Sequence, residues 1–244
     1  MRLKNFPEVV KTILKPLPKK DYPVLDTFSF VSVWLQYVMD KSIVSMRDLF
    51  QRLNNQGDDG YQSTAQEMIE QNYPWVKWVA GPGKGPAANR NNGAKYATGE
   101  WLAFTDDDCL PDPQWLASYE EATKGSSLAL EGAIHPLGNY DQDLAECPVN
   151  LTGGCFWSAN IAVKRELFEK VGGFDPNYIM AAHEDQDLKI RIEKIVKIDF
   201  VPKAKVSHPV RLVNLKKMLA NIPKQTENWA YHVNKHQIFI QSGG

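Results

Sequence analysis

The sequence predicts an α/β fold in which helices flank a mostly parallel central sheet within a single domain. Short apolar runs carry the aromatic and β-branched residues of buried strands, and helical stretches alternate with them. The clearest strands are Thr27–Leu35, Trp75–Val79 and Trp101–Thr105, and the helical stretches include Ser45–Leu53 and Pro113–Ala122. Such alternation is typical of sheets in which each crossover between strands carries a helix.

Length and composition agree with one globular domain and short arms. The chain has 244 residues, of which 43% are hydrophobic and 23% charged, and its mean hydropathy is −0.40. It contains no apolar run of about 18 residues, which a spanning helix would need, and its N-terminus lacks the pattern of a secretory signal. The three cysteines form no paired spacing, so we expect a reducing cytoplasm.

The net charge of −1 conceals an uneven distribution. Residues 1–20 and 201–244 are basic, whereas residues 21–200 carry 15 Lys and Arg against 27 Asp and Glu. An acidic middle favours a cation site over nucleic-acid binding, which needs a basic stripe across the domain. Ordinary solvated surface charge is the alternative.

The chain divides into three segments on its patterning. Residues 1–26 form a proline-punctuated extension, residues 27–210 the domain, and residues 211–244 a helical tail packed on that domain. The stretch Val210–Leu219 is predicted to form a basic amphipathic helix with Leu212, Leu215 and Leu219 on one face. Packing on the domain is the first interpretation of this face. Peripheral contact with an anionic membrane is the alternative.

Three consecutive carboxylates, Asp106–Asp108, follow directly after the apolar run Trp101–Thr105. The carboxyl ends of strands are where open α/β sheets bind ligands. Adjacent carboxylates repel each other, and Mg²⁺ or Mn²⁺ would relieve that repulsion, with a diphosphate completing the metal shell. A plain loop with an Asx turn and a helix cap is the competing interpretation.

A second acidic group lies at the start of a predicted helix. Leu188, Ile192 and Ile195 share one helical face, which leaves His183, Glu184 and Asp185 at the N-terminal end. The helix dipole keeps a carboxylate ionised there, so it can act as a base. The alternative is a simple helix cap. Asp187 and Arg191 are four residues apart and are expected to form a surface ion pair.

Two further features stand near predicted strands. The segment Thr152–Val163 combines glycines and small polar residues ahead of a strand, as where the backbone approaches a ligand closely. His208 stands at the end of another predicted strand. It is either a structural histidine or a ligand to metal or phosphate.

In this order, the motifs resemble those of glycosyltransferase family 2. The matching stretches are AANRNNGAKYATGEWLAFTDDDCLPDPQWL (87–116), SANIAVKRELFEKVGGFDP (158–176) and HEDQDLKIRI (183–192), and the resemblance runs over about residues 63–210. It implies a GT-A fold with a Rossmann-like sheet, and an inverting transfer of a sugar from a UDP-, GDP- or dTDP-sugar donor. A carbohydrate or lipid-linked acceptor would receive the sugar, with no role for nucleic acid.

The resemblance also implies roles for individual residues. Asp106 and Asp108 would hold Mn²⁺ or Mg²⁺ on the donor diphosphate together with His208, and Asp107 would lie beside the donor. Arg90 and Asn91 would line the nucleotide side. Asp185 would be the general base. The enzyme would act in the cytoplasm or on the inner face of the membrane.

The N-terminal third departs from the family pattern. Family members usually open with a strand of the VSVIIPTYN type and later a second apolar strand ending in an acidic turn. Here Trp34–Asp40 replaces the turn after the first strand, and the second apolar strand before Asp58 and Asp59 is missing. These two acids are expected to be what remains of the nucleoside-binding turn. A non-catalytic GT-A-like binding protein is therefore the second hypothesis, and a sugar nucleotidyltransferase the third.

Overall fold

The computed structural model describes residues 28–32, 37–39, 71, 76–178 and 180–238. The predicted extension 1–26 and helix Ser45–Leu53 lie outside the described residues. Ten strands and five helices occur within the described part. The strands are β1 (Phe28–Ser32), β2 (Tyr37–Met39), β3 (Val76–Trp78), β4 (Trp101–Thr105), β5 (Leu110–Pro111), β6 (Ala129–Leu137), β7 (Ala145–Glu146), β8 (Asn160–Lys164), β9 (Asp199–Pro209) and β10 (Arg211–Leu212). The helices are α1 (Pro86–Tyr96), α2 (Trp115–Thr123), α3 (Arg165–Lys170), α4 (Glu184–Glu193) and α5 (Leu215–His236).

Eight of the strands form one sheet in the order β3-β2-β1-β4-β8-β6-β9-β5, and β10 pairs with β7. The α/β class is confirmed. The pairs β1–β4 and β6–β9 are parallel, whereas the other pairs of this sheet are antiparallel. The sheet is therefore mixed, rather than mostly parallel as its strand–helix rhythm predicts. β8 lies between β4 and β6 and runs antiparallel to both. Apolar patterning alone does not indicate the direction of a strand.

The core lies on both sides of β4, whose five residues are all buried. Phe104 of this strand meets Phe168 and Phe174, with each pair of ring centroids 5.3 Å apart. On α1, Ala87 and Ala94 are buried in the same core. Small side chains let this helix lie close to the sheet, as the sequence predicts.

Asn160 fixes the centre of the sheet. Its amide nitrogen donates to the carbonyls of Ala133 and Ala204 at 2.9 and 2.8 Å. Its amide oxygen accepts from Trp115 Nε1 and from the Tyr119 hydroxyl, both at 2.8 Å. These bonds join β6, β8, β9 and α2. A buried amide with its polar atoms satisfied specifies one register among these elements.

Helix α5 has two unlike halves. Its C-terminal half packs on the domain, where Asn228 and His232 are buried. Its N-terminal half leaves a row of apolar side chains in solvent, namely Leu215, Met218, Leu219 and Ile222. The prediction that the leucine face packs on the domain is therefore wrong for Leu215 and Leu219, and Leu212 is also 64% exposed. None of the helices in the described ranges combines the length and apolarity that crossing a membrane requires.

Candidate active site

The three carboxylates Asp106–Asp108 follow β4 directly, as predicted, and lie partly buried at the end of the sheet. Burial raises the pKa of Asp107 to about 8, and the charges of Asp108 and Asp106 add to this effect. Burial also raises the pKa of Asp106, although Arg90 opposes the rise. Ionising all three carboxyl groups together at neutral pH is therefore unfavourable without a compensating cation. Such a site favours a bound cation.

Asp108 and His208 meet through the pairing of β5 with β9. Leu110 lies opposite Ser207 in this pairing, which brings the residues on either side together. His208 Nε2 lies 3.5 Å from Asp108 Oδ1. Arg211 also donates to Asp108 Oδ2. The predicted proximity of Asp108 and His208 is therefore present in the structure.

These two side chains suit a divalent cation. The ligand atoms of Asp108, Cys109 and His208 all lie within 4.8 Å of one another. Asp108 Oδ1 is buried and accepts no hydrogen bond from the described residues. His208 Nδ1 lies 2.9 Å from the Pro209 carbonyl; if it donates there, Nε2 keeps its lone pair for a metal.

Cys109 was not foreseen as part of this group. It is fully buried, and burial raises the pKa of its thiol well above the usual value. A protonated thiol is a poor metal ligand. The oxygen and imidazole ligands therefore fit Mn²⁺ or Mg²⁺, with Asp108 and His208 as the residues that would hold it. Asp106, the third predicted ligand, is not in this group and faces Arg90.

Arg90 links the acidic segment to the helix that carries the predicted base. Its Nη1 donates to Glu184 Oε1 at 2.7 Å, and its Nη2 lies 3.5 Å from Asp106 Oδ1. The guanidinium carbon lies 5.2 Å from the centroid of the Phe174 ring. Both Arg90 and Glu184 are 2% exposed. One buried cation thus joins two sequence motifs.

The neighbouring Asn91 holds a turn. Its side-chain amide donates to the Phe174 carbonyl at 2.6 Å, and its oxygen accepts from the Phe174 N–H at 2.9 Å. Gly173 adopts φ +66° beside it, where an added Cβ would lie 2.6 Å from Asn91 Oδ1. Both polar groups of Asn91 are therefore engaged with the backbone. The nucleotide contact expected of Asn91 stays a prediction.

Asp185 lies in the first turn of α4. Its carboxylate accepts the Gln186 N–H at 2.8 Å and the Ser158 N–H at 3.4 Å. Burial raises its pKa to about 7, and the Glu184 charge adds to the rise, while Arg90 and the two N–H groups oppose it. A carboxylate with a pKa near neutrality suits a general base at physiological pH.

Asp187 forms the predicted ion pair with Arg191, but the pair is not at the surface. Arg191 Nη2 lies 2.5 Å from Asp187 Oδ2, and Asp187 is fully buried. Its second oxygen lies 2.7 Å from Lys235 Nζ and 2.8 Å from His236 Nε2 of α5. Sequence spacing identified the partner within the helix but could not show that α5 covers it.

The glycine-containing segment before β8 binds the buried carboxylate of Glu131, a contact that the sequence does not predict. Glu131 on β6 accepts the N–H groups of Gly154 and Phe156, the latter at 2.7 Å. An Asn150 amide donates to the same carboxylate at 3.0 Å. These backbone groups therefore hold Glu131 in place. Asp58 and Asp59, predicted to touch the nucleoside, lie outside the described residues.

The described residues form a mixed α/β sheet that carries clustered carboxylates, a buried arginine and a carboxylate with a pKa near neutrality at one end. Two solved structures share the fold: TarS residues 1–349 of S. aureus with UDP-GlcNAc (TM-score 0.51, 16% identity, 77% of this chain and 60% of that one), and GalNAc-T7 with UDP, GalNAc and Mn²⁺ (TM-score 0.50, 19% identity, 64% and 36%).

Sequence comparison finds a similarity to glycosyltransferases over part of the chain. Residues 53–124 match the model described as Glycosyl transferase family 2. The Pre-mycofactocin glycosyltransferase of Mycobacterium tuberculosis H37Rv is 34% identical over 147 residues, which cover 52% of this chain and 31% of that protein. Part of the chain is therefore similar to glycosyltransferase family 2, and its fold is the GT-A fold of the two solved structures.

A further relative matches a shorter stretch of the chain. A putative transposase for insertion sequence element IS4SA of Synechocystis is 57% identical over 56 residues, which cover 23% of this chain and 17% of the transposase. The chain thus spans less than a third of the length of either of these relatives.

Proposed function

We propose that the chain transfers a sugar from a nucleotide-sugar donor to an acceptor hydroxyl in a single inverting displacement that Mn²⁺ or Mg²⁺ assists. The observation that carries this proposal is the Arg90 bridge. It brings Asp106 of the strand-end acids and Glu184, next to Asp185, to one edge of the sheet. Diphosphate recognition and proton removal would then occur side by side, as a transfer reaction requires.

Each residue has a distinct task in this reaction. Asp185 accepts the proton of the acceptor hydroxyl as that oxygen attacks the anomeric carbon from the face opposite the leaving group. Asp108 and His208 would hold the cation, which would neutralise negative charge on the diphosphate when bound. Arg90 keeps the two motifs together through Asp106 and Glu184. Displacement from the opposite face inverts the anomeric centre.

The name of one relative and the ligands of two structural neighbours support this proposal. The mycobacterial relative is named a glycosyltransferase, and the two structural neighbours were crystallised with UDP-GlcNAc or with UDP and Mn²⁺. A UDP-sugar is therefore the donor to test first, with GDP- and dTDP-sugars beside it. Asp107, whose pKa is raised by burial and by the neighbouring charges of Asp108 and Asp106, is proposed to face the donor.

The second hypothesis is a GT-A-like protein that binds a nucleotide without transferring its sugar. The unusual sequence before residue 53 favours it, because the family pattern places half of the nucleotide pocket there.

Binding of nucleoside diphosphates tests the metal site. We expect UDP, GDP or dTDP to bind in calorimetric titrations only with Mn²⁺ or Mg²⁺, and Asp108→Ala to weaken that binding about 100-fold or more, because it removes a metal ligand. Asp143→Ala, which removes an exposed carboxylate from a different loop, is the matched control and should bind normally. Binding of equal strength in EDTA would refute the metal site.

Hydrolysis of the donor separates the two hypotheses. A transferase should slowly hydrolyse one member of a panel of UDP-, GDP- and dTDP-sugars in the presence of metal. Metal-dependent nucleotide binding without hydrolysis of any of them would favour the non-catalytic protein.

We also propose that the protein works in the cytoplasm at the inner face of the membrane, where a lipid-linked acceptor would lie. Cys109, Cys147 and Cys155 are free thiols, which suits a reducing compartment. The exposed apolar row on α5 is accompanied by exposed basic side chains at Arg211, Lys216 and Lys224. This combination suits an anionic lipid surface.

Vesicle co-sedimentation tests this contact. We expect binding to vesicles of phosphatidylglycerol and little binding to phosphatidylcholine, because each basic residue near an anionic surface contributes about 1 kcal/mol. Leu219→Asp should reduce binding, since it puts a carboxylate into the apolar row. Ala220→Asp adds the same charge on the opposite face and should reduce it less. Equal binding to both lipids would refute the proposal.

A further inference from the structure

A solvent-exposed cleft lies between α5 and the segment that leads into α4. Its volume is about 390 Å³, and it is lined by Ala182, His183, Gln225, Thr226 and Trp229. Trp229 is 43% exposed. The cleft shares none of these residues with the acidic group at the end of β4.

The walls of the cleft are held in place by buried contacts. The Asn228 amide donates to the carbonyls of Met180 and Ala182 at 3.3 and 3.2 Å. The His183 ring stacks on His232, with centroids 5.2 Å apart and planes inclined by 22°. His232 Nδ1 in turn lies 2.8 Å from the Tyr178 hydroxyl. The cleft is therefore largely pre-formed, as ligand sites usually are.

The cleft opens beside the residue proposed as the general base. His183 has a left-handed backbone, with φ +70°, and α4 begins at the next residue. Asp185 follows His183 by two positions, so their Cα atoms are at most about 7.6 Å apart. A molecule in the cleft would therefore lie next to the N-terminal end of α4, the helix whose first turn carries Asp185.

The lining has the chemistry of a site for a neutral, hydroxyl-rich ring. Trp229 offers an apolar aromatic face, and Gln225 and Thr226 offer both hydrogen-bond donors and acceptors. No Lys, Arg, Asp or Glu is among the residues that line it. Binding of a diphosphate or a carboxylate would require a cationic side chain, and this lining contains neither Lys nor Arg. The C–H face of a pyranose could pack on the indole while its hydroxyls bond to the amide and the hydroxyl.

We propose that this cleft binds the acceptor, with a neutral pyranose of the acceptor packed on Trp229 and hydrogen-bonded by Gln225 and Thr226. The proposal rests on the proposed transferase function and names the acceptor class that this function leaves open. Trp229 acts here as a binding and specificity residue. The acceptor hydroxyl would then lie within reach of Asp185.

Ligand-observed NMR tests the cleft directly. The probes are the methyl glycosides of glucose, galactose, mannose and N-acetylglucosamine, measured by saturation transfer with UDP and Mn²⁺ present. We expect at least one glycoside to bind, and Trp229→Ala to weaken it about tenfold, the loss expected for one aromatic contact. Trp229→Phe should retain part of the affinity, and Gln225→Ala should lower it. Asn221→Ala, an exposed position on the same helix but outside the cleft, should leave it unchanged.

Nucleotide titrations on the same samples keep the two proposals distinct. UDP binding with Mn²⁺ should be the same in Trp229→Ala as in the wild type. A loss of UDP affinity in that variant would assign the cleft to the donor and overturn the proposal. Glycoside binding that is insensitive to Trp229→Ala, or absent for all four probes while UDP binds, would overturn it as well. Absence of nucleotide binding in the wild type would instead count against the transferase function.

Discussion

Replacing Asp185 by Asn should lower sugar transfer by about 10²–10⁴-fold, the contribution of a general base, while donor binding stays nearly unchanged. The amide oxygen of Asn can still accept the Gln186 N–H that the carboxylate accepts at 2.8 Å. Local structure should therefore survive. The amide cannot accept a proton from the acceptor hydroxyl, so the chemical step alone is lost.

The pH dependence of the wild type follows from the same residue. A base works only when deprotonated, and the pKa of Asp185 is raised to about 7 by burial and by Glu184, against the opposing charge of Arg90. The rate should therefore rise with pH up to about 7 and then level off. Glu184 from α4 raises the pKa of this carboxylate, and Arg90 from α1 lowers it. The Asn variant should lose this acidic limb.

Initial rates of nucleoside diphosphate release, measured from pH 5.5 to 8.5, check both expectations once a donor has been found. Asp199→Asn removes a carboxylate that pairs with Lys197 at the surface, and it should behave as the wild type. Loss of donor binding together with transfer in Asp185→Asn would indicate a structural role. Undiminished transfer would remove Asp185 as the base.

Local patterns account for the parts of the site that follow strands and helix ends. Asp106–Asp108 could be placed because an apolar strand immediately precedes them, and Asp185 because apolar spacing defines the helix that it opens. These inferences use residues a few positions apart. Mixed strand directions, by contrast, depend on how distant segments pair, and apolar runs do not record this.

Contacts between distant segments explain the rest. Arg90 and Glu184 are 94 positions apart, and Trp115 and Asn160 are 45 apart. Neither pair shares a local pattern. The sequence around Glu131 carries no local signal of its role, yet the glycine segment folds around it. The burial of Asp187 likewise required α5 to return across α4. Such residues could be recognised only from their buried polar contacts once the chain is folded.

Arg90 is the residue whose loss should destabilise the fold most among those at the site. Its guanidinium is buried between Glu184 and Asp106. Glu184 Oε2 already has no hydrogen-bond partner among the described residues. Arg90→Met keeps much of the side-chain volume over Phe174 but leaves Glu184 as an uncompensated buried charge. Breaking a buried ion pair in this way costs about 3–5 kcal/mol of unfolding free energy.

Urea denaturation of the wild type and the variant measures that cost. Arg165→Met is the matched control, because Arg165 is a partly buried arginine that donates to the carbonyls of Gly99 and Ala94. Its loss removes hydrogen bonds without leaving one of these partners charged, so it should cost about 1–3 kcal/mol. An equal cost for the two variants would contradict the buried-charge argument.

The double variant Arg90→Met with Glu184→Gln separates charge from packing. Neither side chain is then charged, so the double variant should be more stable than the sum of the two single losses predicts, by about 1–3 kcal/mol. Simple additivity would mean that Arg90 acts through its contact with Phe174 and not through Glu184. Non-additivity would show that the two motifs are joined by one buried charge pair, and that the base helix and the strand-end acids are positioned as a unit.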